Sequence, residues 1–183
     1  IVLPDGSIAD VKLDFQTLAD LSCVARDKYG LAGAVQHGAS TLPDGAFNHF
    51  PRTETAEIHL ATNFQNMLYD HLPPALRDEI YAWLRVNAAD ERKIKDSEEQ
   101  FVYKTRKKAI GPFKRQLWDL DASAAQALDQ AYEEKFDFLF TQLGVVGTAP
   151  VVAKCVAAPM QHRPEPGGGP AVTAAPDDAD AGE

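Results

Sequence analysis

The sequence predicts an α/β fold: two parallel strands joined by a short helical connection, followed by an all-helical extension. Three observations predict it. Residues 33–40 and 56–63 each read as an apolar strand that stops at polar, ligand-holding residues. Between them, Leu42-Pro43-Asp44 opens a short helical piece through Phe47 and Phe50, and a strand, helix, strand order implies a parallel pair. After Asn63 the apolar residues recur at three to four residue spacing as far as Leu143.

In chain order, residues 1–11 read as an extended lead-in with a turn at Pro4-Asp5-Gly6. Asp14 caps a helix whose apolar positions are Phe15, Leu18, Leu21, Val24 and Ala25, and Gly30 stops it. Pro51 is expected to end the connecting helix. In the second strand, alternation places Glu57, His59 and Ala61 on one face and Ile58, Leu60 and Thr62 on the other. If Ile58 and Leu60 pack on helices, His59 points into the interior of a barrel. Thr62-Asn63 is a capping pair that opens the next helix. Pro73-Pro74 breaks the helical run, and Leu76, Ile80, Trp83 and Leu84 give the following helix its apolar face. Phe101, Ile110 and Phe113 lie in a basic stretch, and residues 128–143 form a long final helix. Three regions follow: 1–72 as strand and helix units, 73–156 as a helical extension, and 157–183 as a disordered Pro, Gly and Ala-rich acidic tail.

Composition sets limits. A chain of 183 residues that is 45% hydrophobic can bury a sizeable core. Its net charge of -9 argues against nucleic acid or an anionic membrane as the main partner, although a local site can still hold a small anion. Two distant cysteines, with neither a secretory leader nor a long apolar run, favour a cytoplasmic setting and no transmembrane helix. Cys23 in the first helix reads as a small buried hydrophobe rather than a reactive thiol. Lys104, Arg106, Lys107, Lys108, Lys114 and Arg115 read as a solvated helix face or a subunit contact rather than a nucleic-acid site.

The two strand ends carry the chemistry. His37 closes the first strand, Gly38 can bring its backbone N–H against an anion, and Ser40 adds a hydroxyl donor. The second strand runs into a helix N-terminus, whose N–H groups attract negative charge. Adjacent strand ends and a helix N-terminus converging on an anion match the phosphate site after strands 7 and 8 of a (β/α)8 barrel. The fold expected is therefore the C-terminal portion of such a TIM barrel, its last two strands, followed by the helical extension.

The residues HGAS at 37–40 and HLATNFQN at 59–66 also resemble the C-terminal half of the class II, zinc-dependent fructose-bisphosphate aldolases. Ala39 stands where that family usually has a second glycine, and His59 and Ala61 stand where it has Asn and Asp. The resemblance implies that His37 is a Zn2+ ligand and that Gly38, Ser40 and Thr62 line a substrate phosphate site together with the backbone of residues 59–62, so that His59 and Ala61 take part through their main chain and not through side-chain contacts carried over from the family. His59 reads equally as a substrate or phosphate contact and as a histidine paired inside the barrel. The remaining zinc ligands and the acid/base carboxylate are expected upstream of Ile1. The chain then reads as the C-terminal segment of a larger lyase, a homo-oligomer acting on a sugar bisphosphate and dihydroxyacetone phosphate in glycolysis or gluconeogenesis. His49, His71 and His162 are not expected to bind metal. The alternative is a non-catalytic helical interaction module on a barrel scaffold.

Overall fold

A computed structural model describes residues 3, 4 and 13–157. The turn at Pro4-Asp5-Gly6, His162 and the tail beyond residue 157 lie outside the described residues, apart from Leu3 and Pro4. The chain divides into two units, Ile1–Val146 and Gly147–Glu183.

Helix dominates. The sheet among the described residues has two short parallel strands, β1 (Val35–Gln36) and β2 (Glu57–Ile58), with Val35 opposite Glu57 and Gln36 opposite Ile58. The expected strand order and direction are present, but two strands of two residues do not outline a barrel, and the described fold is a mostly helical α/β mix.

Helix α1 (Phe15–Tyr29) begins where the Asp14 carboxylate accepts the Thr17 N–H at 3.1 Å and the Thr17 hydroxyl at 2.6 Å. It ends at Gly30 in the left-handed region, φ 66°. Its buried stripe differs from the expected one. Leu18 and Ser22 are buried while Leu21 and Val24 are exposed, because the Ser22 hydroxyl turns inward to accept the Ala34 N–H at 3.2 Å ahead of β1. Cys23, one residue on, is therefore exposed rather than buried. Its thiol donates to Asp27 at 3.0 Å, and that bond and the carboxylate's charge push the thiol above its usual range.

Gly33 leads into β1 at φ 151°, with an added Cβ only 2.6 Å from the Glu54 carbonyl oxygen, so a side chain there would part the strands. The connection comprises 3-10 turns at Ala39–Thr41 and Asp44–Ala46 and the short helix α2 (His49–Arg52). Pro51 lies inside α2 rather than beyond it. Within a helix's first turn an N–H has no intrahelical partner, so proline loses nothing there. The Thr53 hydroxyl then donates to the His49 and Phe50 carbonyls, both at 3.1 Å. Leu18, Ala39, Phe47, Phe50 and Leu139 form the first core, with Ile58 and Leu60 packed against it. The alternation expected in 57–62 is thus realised: Ile58 and Leu60 face the core, and Glu57, His59 and Ala61 face away.

Helix α3 (Thr62–His71) is separated from α4 (Pro74–Asn87) at the two prolines. Tyr69, Ile80, Leu84, Phe101 and Phe113 build the second core; full burial of each such side chain contributes roughly 1.5–3 kcal/mol. Ser97 opens α5 (Glu98–Thr105) with a capping box to Gln100.

The basic stretch is not simply a solvated face. Lys104 pairs with Asp96 at 2.5 Å and Lys108 pairs with Glu91. Arg106 is buried, bonded to Asn66 and held 5.0 Å from the Tyr69 ring centroid and 4.6 Å from that of Tyr103.

After α6 (Lys114–Trp118), Asp121 caps α7 (Ala122–Gln142) by accepting the Ser123 and Ala124 N–H groups. Helix α7 lies across α3, where the Tyr132 hydroxyl donates to the Phe64 carbonyl at 3.0 Å and the Phe136 ring stacks on Phe64. Its Leu139 reaches the first core. In the second unit, α8 (Ala149–Cys155) carries Pro150 in its first turn and ends at an exposed Cys155. The periodicity did not anticipate that helix. No helix among the described residues is long and apolar enough to cross a membrane.

Candidate functional site at the paired strand ends

The ladder between the strands continues past the two-residue pairing. The Ala56 N–H donates to the Ala34 carbonyl at 2.9 Å, the His59 N–H to the Gln36 carbonyl at 2.9 Å, and the Ala39 N–H to the His59 carbonyl at 3.3 Å. The backbone of His59 is therefore held by the residues flanking His37 and Gly38. In a parallel pair successive side chains alternate faces, so extending the register by one residue sets His37 and His59 side by side. Their ring centroids lie 4.3 Å apart with the planes tilted by 49°. Both histidines are exposed, on the side away from the first core. Glu57, two residues back on the same face, meets His59 Nε2 with Oε1 at 2.5 Å.

Gly38 adopts φ 70°, the conformation that lets the chain turn out of β1. Ala39 is fully buried in the first core and starts the 3-10 turn. The glycine demanded by the turn is Gly38 alone, so alanine is tolerated next to it. Ser40 follows in that turn, and its Oγ accepts the Ala61 N–H at 3.0 Å. A hydroxyl that accepts one hydrogen bond keeps its own O–H to donate.

Ala61, not Thr62, occupies the cap position of α3, with no side-chain cap. Thr62 is the first helical residue. The expected capping role passes to Ser40, which reaches across from the other strand end to hold the helix start. Because Ala61 contributes only backbone, the N-terminal N–H groups of α3 are not covered by a side chain of the cap residue.

His37, Gly38, Ser40, His59, Ala61 and Thr62 therefore gather at one end of the strand pair. His49 and His71 are engaged elsewhere: His49 stacks on Phe15 at 4.2 Å, and His71 Nδ1 meets the Met67 carbonyl at 2.8 Å. The Glu57 to His59 pair went unremarked in the sequence, although two residues of spacing in a strand puts both on one face.

Comparison of the chain with protein-family models, with characterised proteins and with solved structures finds no match. The site has to be judged on its own chemistry.

For zinc, the donor set present is right in kind: imidazoles at a strand end with a carboxylate behind one of them. It is short in number, since no group of three His, Cys, Asp or Glu that could hold a metal occurs among the described residues. For an anion, the donors are the Gly38 turn, the Ser40 hydroxyl and the start of α3.

Proposed function

We propose that this chain forms the phosphate-binding and part of the metal-binding side of a class II ketose-bisphosphate aldolase, built on the last strands of a (β/α)8 barrel. The observation that carries the reading is the meeting of His37, the Gly38 turn, Ser40 and the start of α3 at the ends of two parallel strands. His37 is a zinc ligand in this reading. Zinc, when bound, supplies a Lewis acid that polarises the ketone of dihydroxyacetone phosphate.

The remaining work falls to this chain's own groups. The backbone N–H at the Gly38 turn and those opening α3 present partial positive charge to the phosphate. The Ser40 and Thr62 hydroxyls donate to its oxygens, Ser40 while still accepting the Ala61 N–H. Fixing the phosphate at one end of a three-carbon substrate sets the distance to His37, so binding energy is converted into orientation of the reacting carbons. The protein is then a cytoplasmic homo-oligomer of glycolysis or gluconeogenesis.

The test is aldol cleavage of fructose 1,6-bisphosphate by the full-length protein. Activity should be lost on chelation and restored by Zn2+, and His37→Ala should abolish activity together with stoichiometric zinc. Full activity after chelation, or normal zinc content in the His37 variant, would refute the reading. A second reading, a non-catalytic helical interaction module, is favoured by the exposed Phe136 and Phe140 on α7. It requires that the protein show no cleavage with any metal.

A further inference from the structure

Arg106 is a charge buried without a counter-ion. It is 7% exposed, and no carboxylate among the described residues forms an ion pair with it. Its Nη2 donates to the Asn66 amide oxygen, its guanidinium lies against the rings of Tyr69 and Tyr103, and its Nε is buried with no partner. Two ring faces and one amide offset part of the cost of taking a guanidinium out of water, yet arginine is seldom buried without an acid. Five N–H donors are also more than one amide oxygen can satisfy.

The same side chain lines an open cleft of about 380 Å3, a size suited to a small molecule. Tyr81 and Arg85 enter the cleft from α4, and Val102 and Tyr103 enter it from α5. Two glutamates line it as well. Glu98 is already held by Arg85 at 2.6 Å and by Arg92 at 2.8 Å, and Glu99 is exposed in the first turn of α5. Three arginines thus meet two acids, which leaves one positive charge in excess at the buried end. A single excess charge suits a monoanion, because Glu99 repels the second charge of a phosphate monoester. A carboxylate matches the planar guanidinium fork, and the two phenol rings with Val102 suit a flat apolar body behind it.

We propose that the cleft between α4 and α5 binds a small aromatic monocarboxylate, anchored by Arg106 and lying against Tyr81 and Tyr103. None of these residues belongs to the strand-end site, so the inference is independent of the aldolase reading.

The experiment titrates the full-length protein with benzoate by calorimetry, with the arginine Nε–H resonances followed by NMR and with benzamide and inorganic phosphate as comparison ligands. Benzoate should bind and shift the Arg106 Nε–H resonance. Benzamide keeps the ring and loses the charge, and should bind at least about tenfold more weakly. Arg106→Lys should lose about tenfold in benzoate affinity, since an ammonium cannot make the paired bonds of the fork. Arg106 is part of the packed interior, so Glu99→Gln at an exposed position supplies a second variant. It should bind benzoate about two- to threefold more tightly by removing a like charge. Absence of benzoate binding, equal affinity for benzamide, or tighter binding of inorganic phosphate would overturn the proposal. So would benzoate binding that leaves the Arg106 resonance unmoved, or wild-type affinity in both variants. Each of these results leaves zinc binding and aldol cleavage to be decided separately.

Discussion

The Ser40 hydroxyl accepts the Ala61 N–H across the gap between the two strand ends, at 3.0 Å. One side chain thereby fastens the turn after β1 to the first turn of α3, and its remaining proton is available to a ligand. Ser40→Ala should therefore do two separable things. Loss of a hydrogen bond of this kind should lower unfolding stability by about 1 kcal/mol, measured by urea denaturation without ligand. Under the proposed function, loss of the donor to a charged oxygen should weaken dihydroxyacetone phosphate binding about ten- to a hundredfold. Thr62→Val should show the second effect with zinc retained. Unchanged affinity in both variants would make the turn purely structural.

Gly33 governs whether the site assembles. Any Cβ there would meet the Glu54 carbonyl oxygen at 2.6 Å and the Ala56 nitrogen at 3.2 Å, both backbone atoms of the opposing segment. Gly33→Ala should cost about 1–3 kcal/mol, from the unfavourable φ and the displaced strand. It should also separate His37 from His59, visible as loss of ring-to-ring NOEs. Retention of those contacts in the variant would show that the strand pair tolerates the shift.

Tyr69 clamps the second core. It is almost fully buried, and its hydroxyl donates to the Arg106 carbonyl at 2.7 Å. Burial pushes its pKa up to about 12 from an ordinary 10.0, against the smaller opposing pull of the Arg106 charge. Because the folded value lies above the unfolded one, this stability is complete below pH 10 and is lost as pH rises through 12. Tyr69→Phe should reduce the loss of stability over that window. At neutral pH it should cost about 0.5–1.5 kcal/mol, the net worth of the lost hydrogen bond. An alkaline unfolding profile identical to wild type would contradict the assignment.

Acid should act through Glu98. Its carboxylate accepts from Arg85 Nε at 2.6 Å and Arg92 Nη1 at 2.8 Å. The bond from Arg85, above all, holds its pKa below the ordinary 4.5, against a smaller effect of burial. A depressed carboxylate stabilises the fold above its unfolded value, and the contribution is lost as pH falls through the folded one. Glu98→Gln should consequently be less stable than wild type at pH 7 and lose less stability as pH falls below 4.5, followed by thermal melts. Parallel pH profiles would show that the two arginines contribute nothing through this pair.

Local chemistry was legible in the chain itself. Asp14 and Gly30 bound α1, the two prolines at 73 and 74 part α3 from α4, and the alternation in 57–62 decides which side of β2 meets the core. Each depends on a residue's own backbone preference or on a repeat of two or three to four residues, and so survives in any context. The convergence of His37, Gly38, Ser40 and Thr62 on neighbouring strand ends could also be read, because strand order and direction followed from the connection between them. Long-range packing settled the rest. Ser22 was turned inward by an N–H twelve residues away, which left Cys23 and Leu21 in solvent. Arg106 was buried because Asn66 and two tyrosine rings from separated segments surround it. Ala61 took the cap position because Ser40, on the other strand end, supplied the bond its methyl could not. The facing of His37 and His59 with Glu57 behind one of them arose from a register that no pattern along a single strand encodes. Such contacts depend on which residues the fold brings within hydrogen-bonding or van der Waals distance, and that is a property of the assembled tertiary structure alone.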